Sequence, residues 1–75
     1  MSTLSATRFA ICLDDRGCDD LQKGKVYVVL EDEAAARNKH LRVIDDSGED
    51  YVYPDAHFSF INLPNDVREA LLAKQ

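Results

Sequence analysis

The side chains that could carry out chemistry in this sequence are two cysteines, two histidines and many carboxylates. A catalytic nucleophile needs a general base within hydrogen-bond reach and a third group that orients the base. The positions of Cys12, Cys18, His40 and His57 match no nucleophile elbow or paired-histidine motif, and the sequence has no glycine-rich phosphate loop. We therefore predict that the protein is not an enzyme.

A metal centre is the second kind of chemistry that these side chains could support. Structural zinc sites usually pair their ligands at short spacing on a turn, whereas five residues separate Cys12 from Cys18. We therefore predict no metal site and no cofactor. The two cysteines are expected to be free thiols, with Cys12 buried and Cys18 in a loop.

The densest carboxylate cluster surrounds Gly48 in the stretch IDDSGEDYVYP, residues 44–54. An EF-hand loop needs oxygen ligands at alternating positions, a glycine at position six and a glutamate at position twelve. Counted from Asp45, the glycine falls at the fourth position and the twelfth residue is Ala56. The same residues fit a type I turn in which the glycine adopts a left-handed conformation and Asp45 bonds the turn backbone. We therefore predict a hairpin turn here.

Charge narrows the classes of function further. The 75 residues carry a net charge of -5, from 14 acidic and 9 basic residues, and this sign opposes the phosphate backbone of nucleic acids. One loose basic grouping, Arg37, Lys39 and Arg42, keeps nucleic-acid binding with help from exposed tyrosines as the alternative function. Because the chain has no long apolar run and no signal-peptide pattern, we expect no membrane association and a cytoplasmic location.

Turn residues divide the chain into short elements that must position these groups. Alternating apolar residues, or runs of β-branched and aromatic residues, predict five strands. The strands are expected at about 8–13, 25–30, 40–45, 50–53 and 59–62. A short 3₁₀ turn is expected at 54–58. Residues 31–38 are charged and rich in alanine. One helical turn is the alternative there, but we predict a loop because no cap is evident.

The last segment changes to a helical period. Apolar residues recur at helical spacing, and Asp66 with Glu69 fits a capping box, so we predict a helix over residues 65–73. This helix is too short to be stable alone. The strand Val26–Leu30 has apolar side chains on both faces, and the helix is the nearest candidate to cover the second face. A dimer partner is the second candidate. The expected docking residues are Leu63, Val67, Leu71 and Leu72.

The order of the segments resembles a family of small bacterial and phage proteins with an SH3-like barrel. The matching segments are ICLDDRG, LQKGKVYVV, DDSGE, Tyr53-Pro54 and Phe58. The resemblance covers residues 9–60 and implies a fold but no activity. Five short strands without room for parallel crossovers also require an antiparallel sheet. We therefore predict an all-β fold with a terminal helix.

The expected architecture is one domain of residues 1–75. Residues 1–6 should form a flexible tail, residues 8–62 a five-stranded antiparallel SH3-like barrel, and residues 65–73 the helix. SH3 domains bind peptides in a groove beside the first long loop and the 3₁₀ turn. The corresponding wall would be Tyr53, Pro54 and His57, and its acidic rim would include Asp14 and Asp15. The predicted function is therefore a non-catalytic protein-binding or regulatory module, acting as a monomer or weak homodimer.

Overall fold

Five antiparallel strands form one sheet in the order β4-β3-β2-β1-β5. The strands are β1 (Arg8–Cys12), β2 (Val26–Leu30), β3 (His40–Ile44), β4 (Asp50–Pro54) and β5 (Phe58–Ile61). The helices are α1 (Glu33–Arg37) and α2 (Asn65–Ala73), and a 3₁₀ turn spans Asp55–His57. This computed structural model describes residues 8–73, so the predicted tail at residues 1–6 lies outside the described part of the chain. The five predicted strands are confirmed to within one residue at each end, and so is the terminal helix.

The sheet has two open edges, β4 and β5. Within residues 8–73 no ladder joins these two strands, so the sheet is not closed and the predicted barrel is not confirmed. The Asp55 backbone N–H donates to the Lys39 carbonyl at 2.9 Å. This bond fixes which residues of β4 direct their N–H and C=O groups toward β3 and which direct them outward. Val52 and Pro54 therefore turn their main-chain polar groups away from β3. A proline suits this edge position because it has no N–H to leave unpaired.

The main hydrophobic core lies on one face of the sheet. Cross-strand neighbours on this face include the pairs Ala10 with Tyr27 and Val29 with Val43. The strands supply mainly small, β-branched and aromatic side chains, which pack well on a pleated surface. The buried cluster is Ala10, Cys12, Leu21, Tyr27, Val29, Val43 and Phe58.

The opposite face of β1 and β2 is also apolar, as the sequence predicted. Phe9 and Val28 are cross-strand partners on this face, and both are buried. Helix α2 lies over them, because the Arg68 guanidinium stands 5.0 Å from the centre of the Phe9 ring and Leu71 lines the same groove as Val28. This groove has a volume of about 380 Å³. The cover is loose, since no described residue of α2 is buried.

Two details of the helix prediction are wrong. Val67 was expected to dock against the sheet, but its side chain is exposed. Asp66 was expected at the N-cap, but it lies inside the first turn, where its carboxylate accepts a hydrogen bond from the Val67 N–H at 2.9 Å. In the first turn of α2 the Pro64 carbonyl accepts a hydrogen bond from the Arg68 N–H at 3.0 Å.

The predicted loop at residues 31–38 contains a short helix, α1, so that prediction is also wrong. Asp32 caps α1 with its carboxylate, which accepts from the Ala35 N–H at 3.0 Å. Five residues do not sustain a helix without tertiary support. Here Ala35 is buried and the Arg42 Nε lies 2.7 Å from the capping carboxylate. The cap went unrecognised because residue 35 is alanine, which cannot complete a capping box.

Candidate functional site

The first loop and the 3₁₀ turn meet at one surface. The Leu13 N–H donates to the His57 carbonyl at 2.7 Å. The His57 ring makes a second hydrogen bond between the same two segments, from its Nδ1 to the Asp14 carbonyl, 43 positions away in the chain. A carbonyl oxygen only accepts, so Nδ1 carries the proton. We call residues Leu13–Asp15 and Asp55–His57 the loop–turn surface.

Two of the predicted site residues are therefore brought together, namely Asp14 and His57. Both are half-buried, and Leu13 beside them keeps 48% of its area exposed. An exposed leucine next to carboxylates offers a partner an apolar contact and a negative charge in the same place. The groove of about 380 Å³ under α2 is lined by other residues.

The Asp14 and Asp15 carboxylates already have hydrogen-bond partners within the chain. The Arg16 guanidinium lies 2.8 Å from the Asp14 carboxylate, and its hydrogen bonds hold the Asp14 pKa well below the usual range. This pair is open to solvent, so it is weak and exchanges readily with other ions. Asp15 accepts from the Lys23 N–H at 3.0 Å and fixes the loop to its own far end.

Tyr53, the predicted wall of the groove, points its hydroxyl toward the protein interior. It donates to the Asp45 Oδ2 at 2.6 Å, and its ring meets Phe58 edge to face at 6.3 Å. Burial and the Asp45 carboxylate hold the Tyr53 pKa well above its usual value. The next residue, Pro54, is exposed on the β4 edge. The structure therefore places Tyr53 partly in the core.

Asp45 is the one carboxylate buried among residues 8–73, with 5% of its area exposed. Besides Tyr53, its carboxylate accepts from the Ser47 N–H at 3.0 Å and from the Ser47 hydroxyl. Burial opposes its ionisation, but these hydrogen bonds outweigh burial and keep the Asp45 pKa below its ordinary value. Its own carbonyl accepts from the Gly48 N–H at 2.9 Å, and Gly48 has φ 86°. The predicted hairpin turn is confirmed.

Asp46 forms a second network that the sequence did not reveal. Its carboxylate accepts from the Tyr27 hydroxyl at 3.0 Å and from the Lys25 ammonium. The Tyr27 oxygen in turn accepts from the Gln22 N–H at 2.8 Å, and the Asp46 N–H donates to the Asp20 carbonyl at 2.8 Å. Burial raises the Tyr27 pKa to about 12. The network fastens the end of the first loop to the β3–β4 turn.

Sequence reasoning treated both aspartates as turn and solvation residues. The available signal was the presence of Tyr27 and Tyr53 in predicted strands, because a buried tyrosine hydroxyl usually finds a partner. Choosing that partner needs the strand register, which the sequence does not show. The carboxylates around Gly48 therefore act mainly as hydrogen-bond acceptors that hold three segments together.

The surroundings of the two cysteines disfavour their thiolate form. Cys12 is buried and Cys18 is half-buried, and both are free. Burial raises the pKa of each thiol, which lowers the fraction present as reactive thiolate. Across residues 8–73 no group of three or more histidine, cysteine, aspartate or glutamate side chains could hold a metal ion.

Within the loose basic grouping, Arg42 forms ion pairs with two acidic residues. The Arg42 Nε lies 2.7 Å from Asp32, and its Nη1 lies 2.9 Å from Asp50. These hydrogen bonds raise the Arg42 pKa and neutralise its charge locally. Arg37 and Lys39 are exposed. Two cations therefore stay accessible at this surface, where three were expected.

Comparison with known proteins returned no relatives. No protein-family profile, no curated protein and no solved structure matches this chain. In the part of the chain that the structure describes, no helix has the length and apolar character needed to cross a membrane.

Proposed function

We propose that this protein is a non-catalytic protein-binding module that holds a basic segment of another protein on its loop–turn surface. The observation that carries the proposal is the double contact of His57, to Leu13 and to Asp14. It fixes an acidic loop beside the 3₁₀ turn and leaves Leu13 exposed. A fixed surface loses less conformational entropy on binding than a mobile loop would.

Binding would proceed by exchange of one ion pair for another. An arginine or lysine of the partner would take the place of Arg16 at the Asp14 carboxylate. Because the existing pair is exposed to solvent, little interaction energy is lost when it opens. An apolar side chain of the partner, next to its basic residue, would cover Leu13. Affinity would come from the apolar contact, and the charge would give orientation and a faster association.

The proposed architecture is SH3-like, with the module acting as a monomer or weak homodimer in the cytoplasm. Two observations support the SH3-like assignment: the strand order and the 3₁₀ turn directly before the last strand. The resemblance of residues 9–60 to small bacterial and phage SH3-like proteins supports the same assignment.

The test is an array of short peptides in which one leucine or valine is flanked by arginines, probed with the full chain. We expect selection of these peptides over matched sequences with serine or glutamine, and weaker binding at high salt. Leu13→Ser should abolish the selection while leaving the circular dichroism spectrum unchanged. Val67→Ser is the matched control, because Val67 is also an exposed apolar residue but lies on α2. Equal loss in both variants would contradict the proposal.

Nucleic-acid binding is the second candidate, supported by the exposed Arg37 and Lys39 and by the half-exposed ring of Tyr51. It would need stacking on Tyr51 together with phosphate contacts from the two cations. A gel mobility assay with generic RNA and DNA at about 50 mM salt tests it, because electrostatic binding is strongest at low salt. No shift at that salt concentration removes this class of function.

A further inference from the structure

A second groove opens beside α1, away from the loop–turn surface. Its volume is about 280 Å³, and its walls come from β1, β2, β3, β5 and α1. The apolar part of the lining is formed by Val29, Leu30, Leu41, Ala36 and Phe60. Small-molecule pockets usually exceed roughly 300 Å³. This groove lies just below that range, so it has room for an apolar side chain.

Arg8 stands at the groove with its charge available. Its guanidinium carbon lies 3.6 Å from the centre of the Phe60 ring, so the positive charge lies over the aromatic face. Within residues 8–73 Arg8 forms no ion pair. This contact leaves the N–H groups at the edge of the guanidinium free, and this edge matches a carboxylate in a two-point hydrogen bond.

The neighbouring strand edge can accept another strand. The bond from the Leu13 N–H to the His57 carbonyl sets the hydrogen-bond alternation between β1 and β5. In this alternation the N–H and C=O groups of Ser59 and Ile61 point toward β1, whereas those of Phe60 point outward. Because β5 is an edge strand, these groups are open to an added strand. Phe60 therefore belongs both to the groove and to the open edge.

We propose that the groove and the β5 edge bind the C-terminal end of another polypeptide whose last residue is apolar. The added strand would pair with the outward main-chain groups of Phe60. Its terminal carboxylate would meet the Arg8 guanidinium, and its last side chain would enter the groove. This combines strand addition with capture of a chain terminus, two recurring modes of peptide recognition.

Acidic residues near the groove affect how strongly a carboxylate can bind there. Glu31, Asp32 and Glu33 all line the same groove as Arg8. Among the described residues Glu31 and Glu33 form no ion pair, so their negative charges oppose an incoming carboxylate. Asp32 is neutralised by Arg42 and does not oppose the ligand in the same way. Removing the Glu31 charge should consequently strengthen binding.

The test uses the full chain and a fluorescein-labelled peptide, Gly-Ser-Gly-Ser-Val-Leu, with a free terminal carboxylate. Binding is followed by fluorescence anisotropy, with the same peptide amidated at its C-terminus as the control. We expect the amide to bind about tenfold more weakly, because a charge-assisted hydrogen bond is lost. Arg8→Gln should cause a similar loss, and Glu31→Gln should tighten binding. Arg37→Gln, which removes an exposed charge elsewhere, should change nothing.

Several outcomes would overturn the proposal. Equal binding of the acid and the amide would show that the carboxylate is not recognised. An equal effect of Arg8→Gln and Arg37→Gln would show that the peptide responds to the overall charge of the protein and not to a specific contact with Arg8. If hexanoate competes at the same concentration as the peptide, the site takes a free small acid and not a chain terminus. Since Arg8 and Phe60 lie outside the loop–turn surface, failure here leaves the proposed function standing.

Discussion

Replacing Tyr53 with phenylalanine removes one hydroxyl from the buried carboxylate of Asp45 and leaves the ring in place. The oxygen atoms lie 2.6 Å apart, a short distance typical of a hydrogen bond to a charged acceptor. Such bonds contribute about 1.5–3 kcal/mol. Asp45 keeps its two hydrogen bonds from Ser47, so the loss should lie near the lower limit, about 1.5–2 kcal/mol.

The assay is thermal unfolding followed by circular dichroism. In a domain of this size 1 kcal/mol corresponds to roughly 4–8 °C, so Tyr53→Phe should lower the melting temperature by about 10 °C. The matched control is Tyr51→Phe, two residues away on the same strand. The Tyr51 side chain is 50% exposed, and its hydroxyl bonds Glu49 in solvent at 2.9 Å. Its removal should cost less than about 0.5 kcal/mol.

The pH dependence gives a second readout. The folded-state pKa of Asp45 lies below its ordinary value, so its carboxylate contributes stability that is fully present above about pH 4. This contribution is lost as the pH falls through the folded-state pKa. Without the Tyr53 hydroxyl that pKa moves up toward the unfolded value, so there is less stability to lose. The difference between the wild type and Tyr53→Phe should therefore shrink at about pH 3.

Equal melting temperatures for Tyr53→Phe and Tyr51→Phe would refute this reasoning. That result would mean that the Tyr53 hydroxyl is not bound to a buried carboxylate. Tyr53 would then be available as a surface wall, as the sequence suggested. A large loss that persists unchanged at low pH would contradict the assignment of the effect to the ionised form of Asp45.

Three further predictions concern the helices and the turn. Ending the chain after Pro64 removes α2, uncovers Phe9 and Val28, and should cause dimerisation or aggregation in size-exclusion chromatography with light scattering; a stable monomer would show that α2 is dispensable. Asp32→Ala removes the cap of α1 and should lower the melting temperature by several degrees, with Asp32→Asn less harmful because asparagine also caps. Gly48→Ala places a side chain at φ 86° and should cost roughly 1 kcal/mol in urea unfolding, and an unchanged midpoint would contradict the turn assignment.

The positions of the strands and of α2 could be predicted from the sequence because their signals are local. The run VYVVL at residues 26–30 favours a strand, and a change to helical spacing marks residues 65–73. Gly48 and Asp45 also determine their turn locally, since the left-handed glycine and the aspartate bonds lie within one short segment. Apolar residues on both faces of β2 likewise indicated a second covered face.

Tertiary structure decided which side chains meet. Asp14 and His57 are far apart in sequence, and only the pairing of β1 with β5 brings their segments together. The direction of the Tyr53 hydroxyl depends on the burial of Asp45, and α1 forms because Arg42 supports its capping aspartate. Whether the sheet closes depends on the twist accumulated over five strands. Each of these features depends on strand register and on packing between distant segments, so the local propensities of the residues do not predict it.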